Sequence, residues 1–467
     1  MEHVERVTIA LMKTTTRLRR AHLAVAAALC VSTLGLVVAT GASAPMVHAQ
    51  TGPGAGGEYH PVPPTRIFDS RLGGIGRRAI TPQGQSFEVN LNQGGIPADS
   101  GNVLAVVVNV TVASPTVPGY LSIRPSGSAG GTSSLVNFDP GRDVPNLAIV
   151  GVGAGGNATI DLVGATSSGQ ADVLVDVFGW ISKSAGPAGS RLIPVTPTRL
   201  LDTRSAPAAI GRAGGVALGP GEQLSVQIRG NQVVPVDNVT GVMVNVTAIN
   251  EGAQGTFVSA TPDPVPAGSA PATSVTNLNP GQVKANTAIV PVGADGRITL
   301  YNGPSTRTHL IVDVLGYLQS GHGATSSAGR VIPLDAPFRV FDTRLDAFGK
   351  APLGFASVEN WSFSAFANSV TLGGVPLGGQ SGVIGNLTAT GLQRVYPTVP
   401  VGSFLTVFPG DVGMPISSNV NLKEGESVPN MSLLKYGAAG GDPSVIKVYN
   451  HDGSTHYILD VYAVVLS

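Results

Sequence analysis

Arginine and aspartate recur in this chain at one fixed spacing. Arg66, Asp69 and Arg71 stand in Pro-Thr-Arg-Ile-Phe-Asp-Ser-Arg (64–71), and Arg199, Asp202 and Arg204 in Pro-Thr-Arg-Leu-Leu-Asp-Thr-Arg (197–204). Arg339, Asp342 and Arg344 repeat the pattern in Pro-Phe-Arg-Val-Phe-Asp-Thr-Arg (337–344). A guanidinium fork meets a carboxylate or a row of hydroxyls through parallel N–H donors, so the motif could hold an anion or a sugar. It could equally be a structural ion pair pinning a strand. The structural reading is preferred, because a motif unchanged in three units whose loops diverge meets a need that all three share. Strict strand alternation puts Asp69 and Arg71 on one face and Arg66 on the other. A second phrase follows each motif, Val175-Asp176-Val177, Val312-Asp313-Val314 and Leu459-Asp460-Val461. Each of these aspartates is expected to be half-buried, and a half-buried carboxylate needs a partner. Asp176, Asp313 and Asp460 are therefore expected to accept hydrogen bonds from Arg66, Arg199 and Arg339. The twelve residues make a structural motif, with no catalytic, cofactor or metal role assigned to them.

Other chemistry is weaker. His309 and His456 lie four residues before the closing aspartate, where the first unit has Asp172. A His309–Asp313 dyad is sterically reasonable on one strand face, but no serine or cysteine nucleophile stands in register with it. A strand-end histidine without catalytic work is the preferred reading. Asn109, Asn245 and Asn386 align, as do Asn137, Asn277 and Asn421, and Asn146, Asn286 and Asn430. Short amide side chains of this kind commonly satisfy turn backbone. The chain has no Gly-x-Ser-x-Gly elbow, His-Glu-x-x-His pair, phosphate loop or calcium loop. Two carboxylates far apart in sequence could still perform glycoside hydrolysis. The aromatic supply for sugar stacking is thin, with Trp180 and Tyr317 at aligned strand ends and Trp361 alone.

Positioning these residues requires strands. Gly (62) and Pro (35) are spread through the chain and punctuate short runs of Val, Ile, Leu and Thr, the pattern of many strands and tight turns. The repeat divides the chain into a signal peptide (1–49), a flexible leader (50–57) and three β modules, 58–182, 191–318 and 330–467. Small polar residues make 183–190 and 319–329 linkers. Each module reads as eight to ten short strands, so the fold class is all-β: three tandem β-sandwiches, for which a jelly roll is a fitting form. The repeat period is about three times that of a propeller blade. First and last strands are expected to pair, bringing module termini together like beads on a string.

The N-terminus carries Lys13, Arg17, Arg19 and Arg20 ahead of the apolar stretch Leu23–Val38, which marks export. Cleavage after Val47-His48-Ala49 fits better than after Ala42-Ser43-Ala44, which precedes Pro45. Met12 reads as a more natural start than Met1. Cys30, the one cysteine, sits in that stretch after the large Leu29, which argues against a lipid anchor. The mature chain can use neither disulfide nor thiolate. Charged residues are only 12% and the net charge is zero, which excludes a basic nucleic-acid surface. No cofactor and no membrane span after cleavage are expected.

The phrases Pro-Thr-Arg-Leu-Leu-Asp-Thr-Arg and Ile-Val-Asp-Val-Leu-Gly-Tyr, with Asn-Leu-Asn-Pro-Gly-Gln (277–282) and Val-Gly-Ala-Gly-Gly (152–156), resemble tandem β-rich modules of secreted and cell-surface actinobacterial proteins. The resemblance spans nearly the whole mature chain, is best in the second module and weakest in the third. It implies an exported protein of a family of unknown function and carries no activity. The chain ends on a strand without a sortase motif, so release or non-covalent retention is expected. The favoured function is a non-enzymatic secreted or cell-surface protein of structure, adhesion or assembly, its partners cell-wall or extracellular polysaccharide or other surface proteins. The alternatives are a polysaccharide- or cell-wall-binding protein, then a secreted hydrolase with dispersed carboxylates.

Overall fold

Val103–Ala113 (Val-Leu-Ala-Val-Val-Val-Asn-Val-Thr-Val-Ala) has no solvent face, and ten of its eleven residues are buried. A strand that apolar must be covered on both sides. Gln85–Asn90 instead keeps four of its six residues exposed, with Phe87 half-buried and Val89 buried, as a strand with one wet face does. These two kinds of strand build two kinds of sheet. A computed structural model of the chain describes residues 56–98, 101–183, 188–204, 215–323, 326–345, 347, 349, 351–366, 371–372, 375–394 and 402–467. All belong to the compact unit Val47–Ser467. The export signal and most of the leader lie outside the described residues.

In the first module the principal strands run Tyr59–Asp69, Gln85–Asn90, Val103–Ala113, Gly119–Pro125, Val136–Phe138, Val144–Gly151, Asn157–Gly164 and Gly169–Ser182. Taken in that order, the first, eighth, third and sixth form one antiparallel sheet, and the second, seventh, fourth and fifth form the other. Two four-stranded sheets in this order are a jelly roll. The second and third modules repeat it. Departures are small: Arg78–Ile80 extends the first module's closing strand, and Gly437–Ala439 and a single helical turn, Phe363–Phe366, are added in the third.

The double-covered sheet faces inward. Its four strands can be named by place: an opening strand (Tyr59–Asp69, Arg191–Asp202, Val331–Asp342) and a closing strand (Gly169–Ser182, Thr308–Gln319, Ser454–Leu466). Next come a central strand (Val103–Ala113, Val239–Asn250, Gln380–Gln393) and an axial strand (Val144–Gly151, Val283–Pro291, Ser427–Lys435). Opening and closing strands pair along their length, as the sequence predicts. The axial strands of all three modules touch one another. Their apolar side chains merge: the first module's core runs without a break into Met243, Ile289 and Leu315 of the second and Ile384, Met431 and Leu433 of the third.

That continuity replaces the beads-on-a-string picture. The leader is not free at its end, because Gly57 pairs with Val331 through hydrogen bonds of 2.9 Å in each direction. The linkers are also tied down where they are described: Ser190 N donates to Tyr59 O at 2.9 Å, and Gly329 N to Leu466 O at 2.9 Å. Residues 184–187 and 324–325 lie outside the described residues. Linker composition argues for freedom only when the flanking modules are apart, and here they are packed together.

Candidate functional site

The repeated motif sits at the seams. Arg66 lies opposite Asp176, which lies opposite Asn109 on its other side, so three neighbouring strands carry Arg, Asp and Asn in one row. Arg199, Asp313 and Asn245 repeat the row, as do Arg339, Asp460 and Asn386. Arg66 Nε and Nη2 donate to Asp176 at 2.8 and 3.0 Å. The equivalent forks measure 2.8 and 3.2 Å for Arg199 on Asp313, and 2.9 and 3.0 Å for Arg339 on Asp460. These aspartates are fully buried rather than half-buried, at 1%, 0% and 0% exposure.

Strict alternation misplaces the rest of the motif. Arg66 Nη1 also donates to Asp69 at 3.4 Å, so the two share a side. The pairing register slips between Arg66 and Phe68, between Arg199 and Leu201, and between Arg339 and Phe341. A bulge inserts one residue and turns the following side chains over. Arg71, Arg204 and Arg344 are not on the strand at all. Each sits in the turn beyond it, its N–H and guanidinium both returning to the aspartate two residues back, with Nη2–Oδ2 distances of 2.7 Å. The result is a charge-alternating ladder, Asp176–Arg66–Asp69–Arg71, built three times. The Arg71 fork holds the Asp69 carboxyl down at about 2. Burial pushes Asp202 and Asp342 up, but the forks of Arg204 and Arg344 outweigh it and leave both low. Asp313 and Asp460 go the other way, raised by burial against the pull of Arg199 and Arg339.

The motif's hydroxyl has its own partner. Ser70 Oγ donates to Asp172 at 2.9 Å, Thr203 Oγ1 meets His309 Nδ1 at 2.9 Å, and Thr343 Oγ1 meets His456 Nδ1 at 3.1 Å. The same hydroxyls accept backbone N–H groups from Val173, Leu310 and Tyr457. The residue four before the closing aspartate therefore orients a strand-end hydroxyl, and His309 forms no dyad with Asp313.

The aligned asparagines lie in strands, and the turn reading is corrected for the five that bond across a seam. Asn386 Nδ2 crosses to Ser134 O of the first module at 2.6 Å, and Asn109 Nδ2 to Ser274 O of the second at 3.3 Å. Asn245 Nδ2 reaches Ser418 O of the third. On the axial strands, Asn146 Oδ1 accepts Met431 N at 3.0 Å and Asn430 Oδ1 accepts Thr287 N at 2.9 Å. Asn146 also donates to Asn386 Oδ1 at 2.9 Å, and Asn430 to Asn245 Oδ1 at 2.8 Å. The first-to-second seam is looser, and Asn286 Oδ1 has no partner among the described residues. Contacts thus run first to second, second to third and third back to first, closing a ring. Sequence alone could not tell a turn amide from a seam amide, although burial inside apolar runs was the available signal.

Unlike charges mark equivalent places on the axis. At one end Glu58, Arg191 and Arg330 occupy the same repeat position; Glu58 Oε1 lies 3.0 Å from Arg191 Nε and 3.7 Å from Arg330 Nε. Burial raises the Glu58 carboxyl, but the Gly189 N–H and both arginines bring it below its ordinary value. At the other end Arg142 pairs with Glu426 at 2.9 Å, beside the buried Lys284, whose Nζ donates to Asp143 O at 3.2 Å. Burial lowers the Lys284 ammonium to about 8 against the opposing pull of Asp143 and Glu426.

A cleft opens on the seam between the third and first modules. It has a volume of about 240 Å³ and lies where Arg339 and Arg344 of the third module face Tyr120, Ser134 and Asn137 of the first. Of the sequence candidates for stacking, Trp180 and Trp361 are buried against His60 and Phe341 at centroid distances of 4.2 and 4.5 Å, and Tyr317 packs partly buried against the second module's core.

No protein-family model and no curated protein matches the chain. Among solved structures it is similar to the empty top component of cowpea mosaic virus, at 10% identity over 58% of this chain and 89% of that one, with a TM-score of 0.18. It is also similar to the tandem CBM22-1-CBM22-2 domain of Paenibacillus barcinonensis Xyn10C, at 14% identity over 56% and 99%, TM-score 0.16. A third likeness is to the triple jelly roll of an archaeal virus turret assembly, at 9% identity over 88% and 90%, TM-score 0.17.

Proposed function

We propose that the protein is a non-enzymatic building block of the extracellular surface, serving structure, adhesion or assembly. The observation that carries this reading is where the repeated polar residues go. Arginine, aspartate and asparagine are the side chains from which a site could be made, and here the buried ones are taken up in pairing strand to strand and module to module. A triplicated jelly roll closed into a ring is a stiff body that displays its outer sheets and loops in three directions. The basic n-region and apolar stretch before Ala49 support export.

The test is expression in an actinobacterial host with fractionation of medium, envelope and cytosol, N-terminal sequencing of the recovered chain, and a screen with chromogenic glycosides and esters. The expected result is a processed chain outside the membrane with no turnover. A cytosolic, unprocessed chain would overturn the export reading. Turnover abolished by one Asp or Glu substitution that leaves folding intact would overturn the non-enzymatic one.

A further inference from the structure

The structure assigns the seam cleft between the third and first modules as a binding site for an uncharged oligosaccharide; the assignment deepens the surface-protein reading and rests on it.

The cleft's charged lining, Arg339 and Arg344, is already paired to carboxylates behind it, which favours a neutral ligand. Its basic wall is the end of a ladder in which two aspartates, Asp460 and Asp342, alternate with two arginines, Arg339 and Arg344. Formal charge is balanced within that ladder. Arg339 is fully engaged, its Nη2 reaching Thr132 O at 2.9 Å across the seam. Arg344 is different. Its side chain is 46% exposed and lines the cleft; its Nε and Nη2 serve Asp342, while Nη1 has no hydrogen-bond partner among the described residues. A guanidinium already neutralised by its own carboxylate keeps donor capacity without net attraction for an anion, which suits neutral hydroxyl and ring oxygens.

The opposite wall supplies the other half of sugar recognition. Tyr120 lines the cleft, paired across strands with Asn137, whose Nδ2 is set by Ser134 Oγ at 3.3 Å. An aromatic body beside a fixed amide is the combination that receives the apolar face and the hydroxyl edge of one pyranose. The floor adds an independent mark. Thr388 lines the cleft at 2% exposure, and its Oγ1 has no hydrogen-bond partner among the described residues. A buried hydroxyl left unpaired costs free energy that a ligand hydroxyl would recover. The cleft is smaller than the roughly 300–1,000 Å³ typical of enclosed ligand pockets, so it grips one unit of a chain that continues outside.

The same residue kinds stand at the same repeat positions on the other seams. Arg71 and Arg204 are the repeat counterparts of Arg344, and Phe257–Asn277 and Phe404–Asn421 are cross-strand pairs like Tyr120–Asn137. Thr247 repeats the unpaired hydroxyl of Thr388.

The test is calorimetric titration of the full mature chain with neutral tetrasaccharides of glucose, N-acetylglucosamine, mannose, galactose and arabinose, with a galacturonic acid tetramer as the charged arm. At least one neutral tetrasaccharide is expected to bind. Tyr120→Ala and Thr388→Val are each expected to weaken that binding about tenfold or more, with the melting temperature of Tyr120→Ala held near that of the parent chain. Failure of all the neutral sugars at 20 mM, preference for the charged tetramer, or binding unmoved in both variants would each overturn the assignment. Sugar chromatography of the same mixtures separates this from the surface-protein reading: cleavage of a bound sugar would sink the non-enzymatic reading and leave the site standing.

Discussion

At the residue scale the unit is the four-membered ladder. Asp202 is 4% exposed and receives Arg199 at 3.3 Å and Arg204 at 2.7 Å. Removing it leaves two cations at the strand end with no carboxylate between them. Asp202→Ala is expected to destabilise the protein by roughly 3–5 kcal/mol in chemical denaturation; a change under 1 kcal/mol would show that the ladder is dispensable. The pH dependence has a definite sign. Asp69 sits at about 2 against an ordinary 3.8, and Asp202 and Asp342 are lowered in the same direction. A lowered folded value stabilises above the unfolded pKa, and that stability is lost as pH falls through the folded one; for Asp69 this is about 2 kcal/mol. Asp313 and Asp460, raised by burial, act in the opposite sense and blunt the effect. Acid unfolding is therefore expected to steepen between about pH 4 and pH 2. Asp202→Asn should make the slope of melting temperature against pH shallower in that window, and an unchanged slope would exclude the ladder as its source.

At the element scale the axial strand Val283–Pro291 contains an anomaly, the buried Lys284. The matching positions in the other modules are Val144 and Val428, so the lysine breaks an apolar ring. Its folded value near 8 lies below the ordinary 10.5. Between those values the unfolded chain holds more protons, so stability rises with pH there. The melting temperature is expected to climb from pH 8 toward pH 10 in the parent chain and to stay flatter in Lys284→Met, which should also be the more stable of the two at pH 7. A parent curve that falls over that interval would refute the buried-ammonium account. Lys284 is visible in the sequence as a single charge beside an apolar run, but its burial depends on two other modules that no local pattern describes.

At the scale of the whole molecule, three jelly rolls share one axial core and complementary charges. Glu58, Arg191 and Arg330 are equivalent positions that differ in charge, as are Arg142, the neutral Gln282 and Glu426. Three identical modules would put like charges together on such an axis. Divergence at these places therefore favours one order of modules within one chain. Because the first module's core runs into the axial strands of the other two, scanning calorimetry of the mature chain should give a single cooperative transition in place of three. Three resolved transitions would restore independent beads.

The sequence by itself determined the repeat, the all-β class and the meeting of first and last strands, since alternation, turn residues and apolar runs are local signals. It also linked each opening arginine to its closing aspartate, because a carboxylate inside an apolar strand has to find a cation nearby. The bulge after Arg66 lay beyond it, for a one-residue slip reverses a face without changing composition. So did the work of Asn109, Asn146, Asn245, Asn386 and Asn430, which bond to residues more than a hundred positions away. Only the tertiary structure closed the three modules into a ring, because burial on a strand's second face requires a partner surface that local pattern does not name.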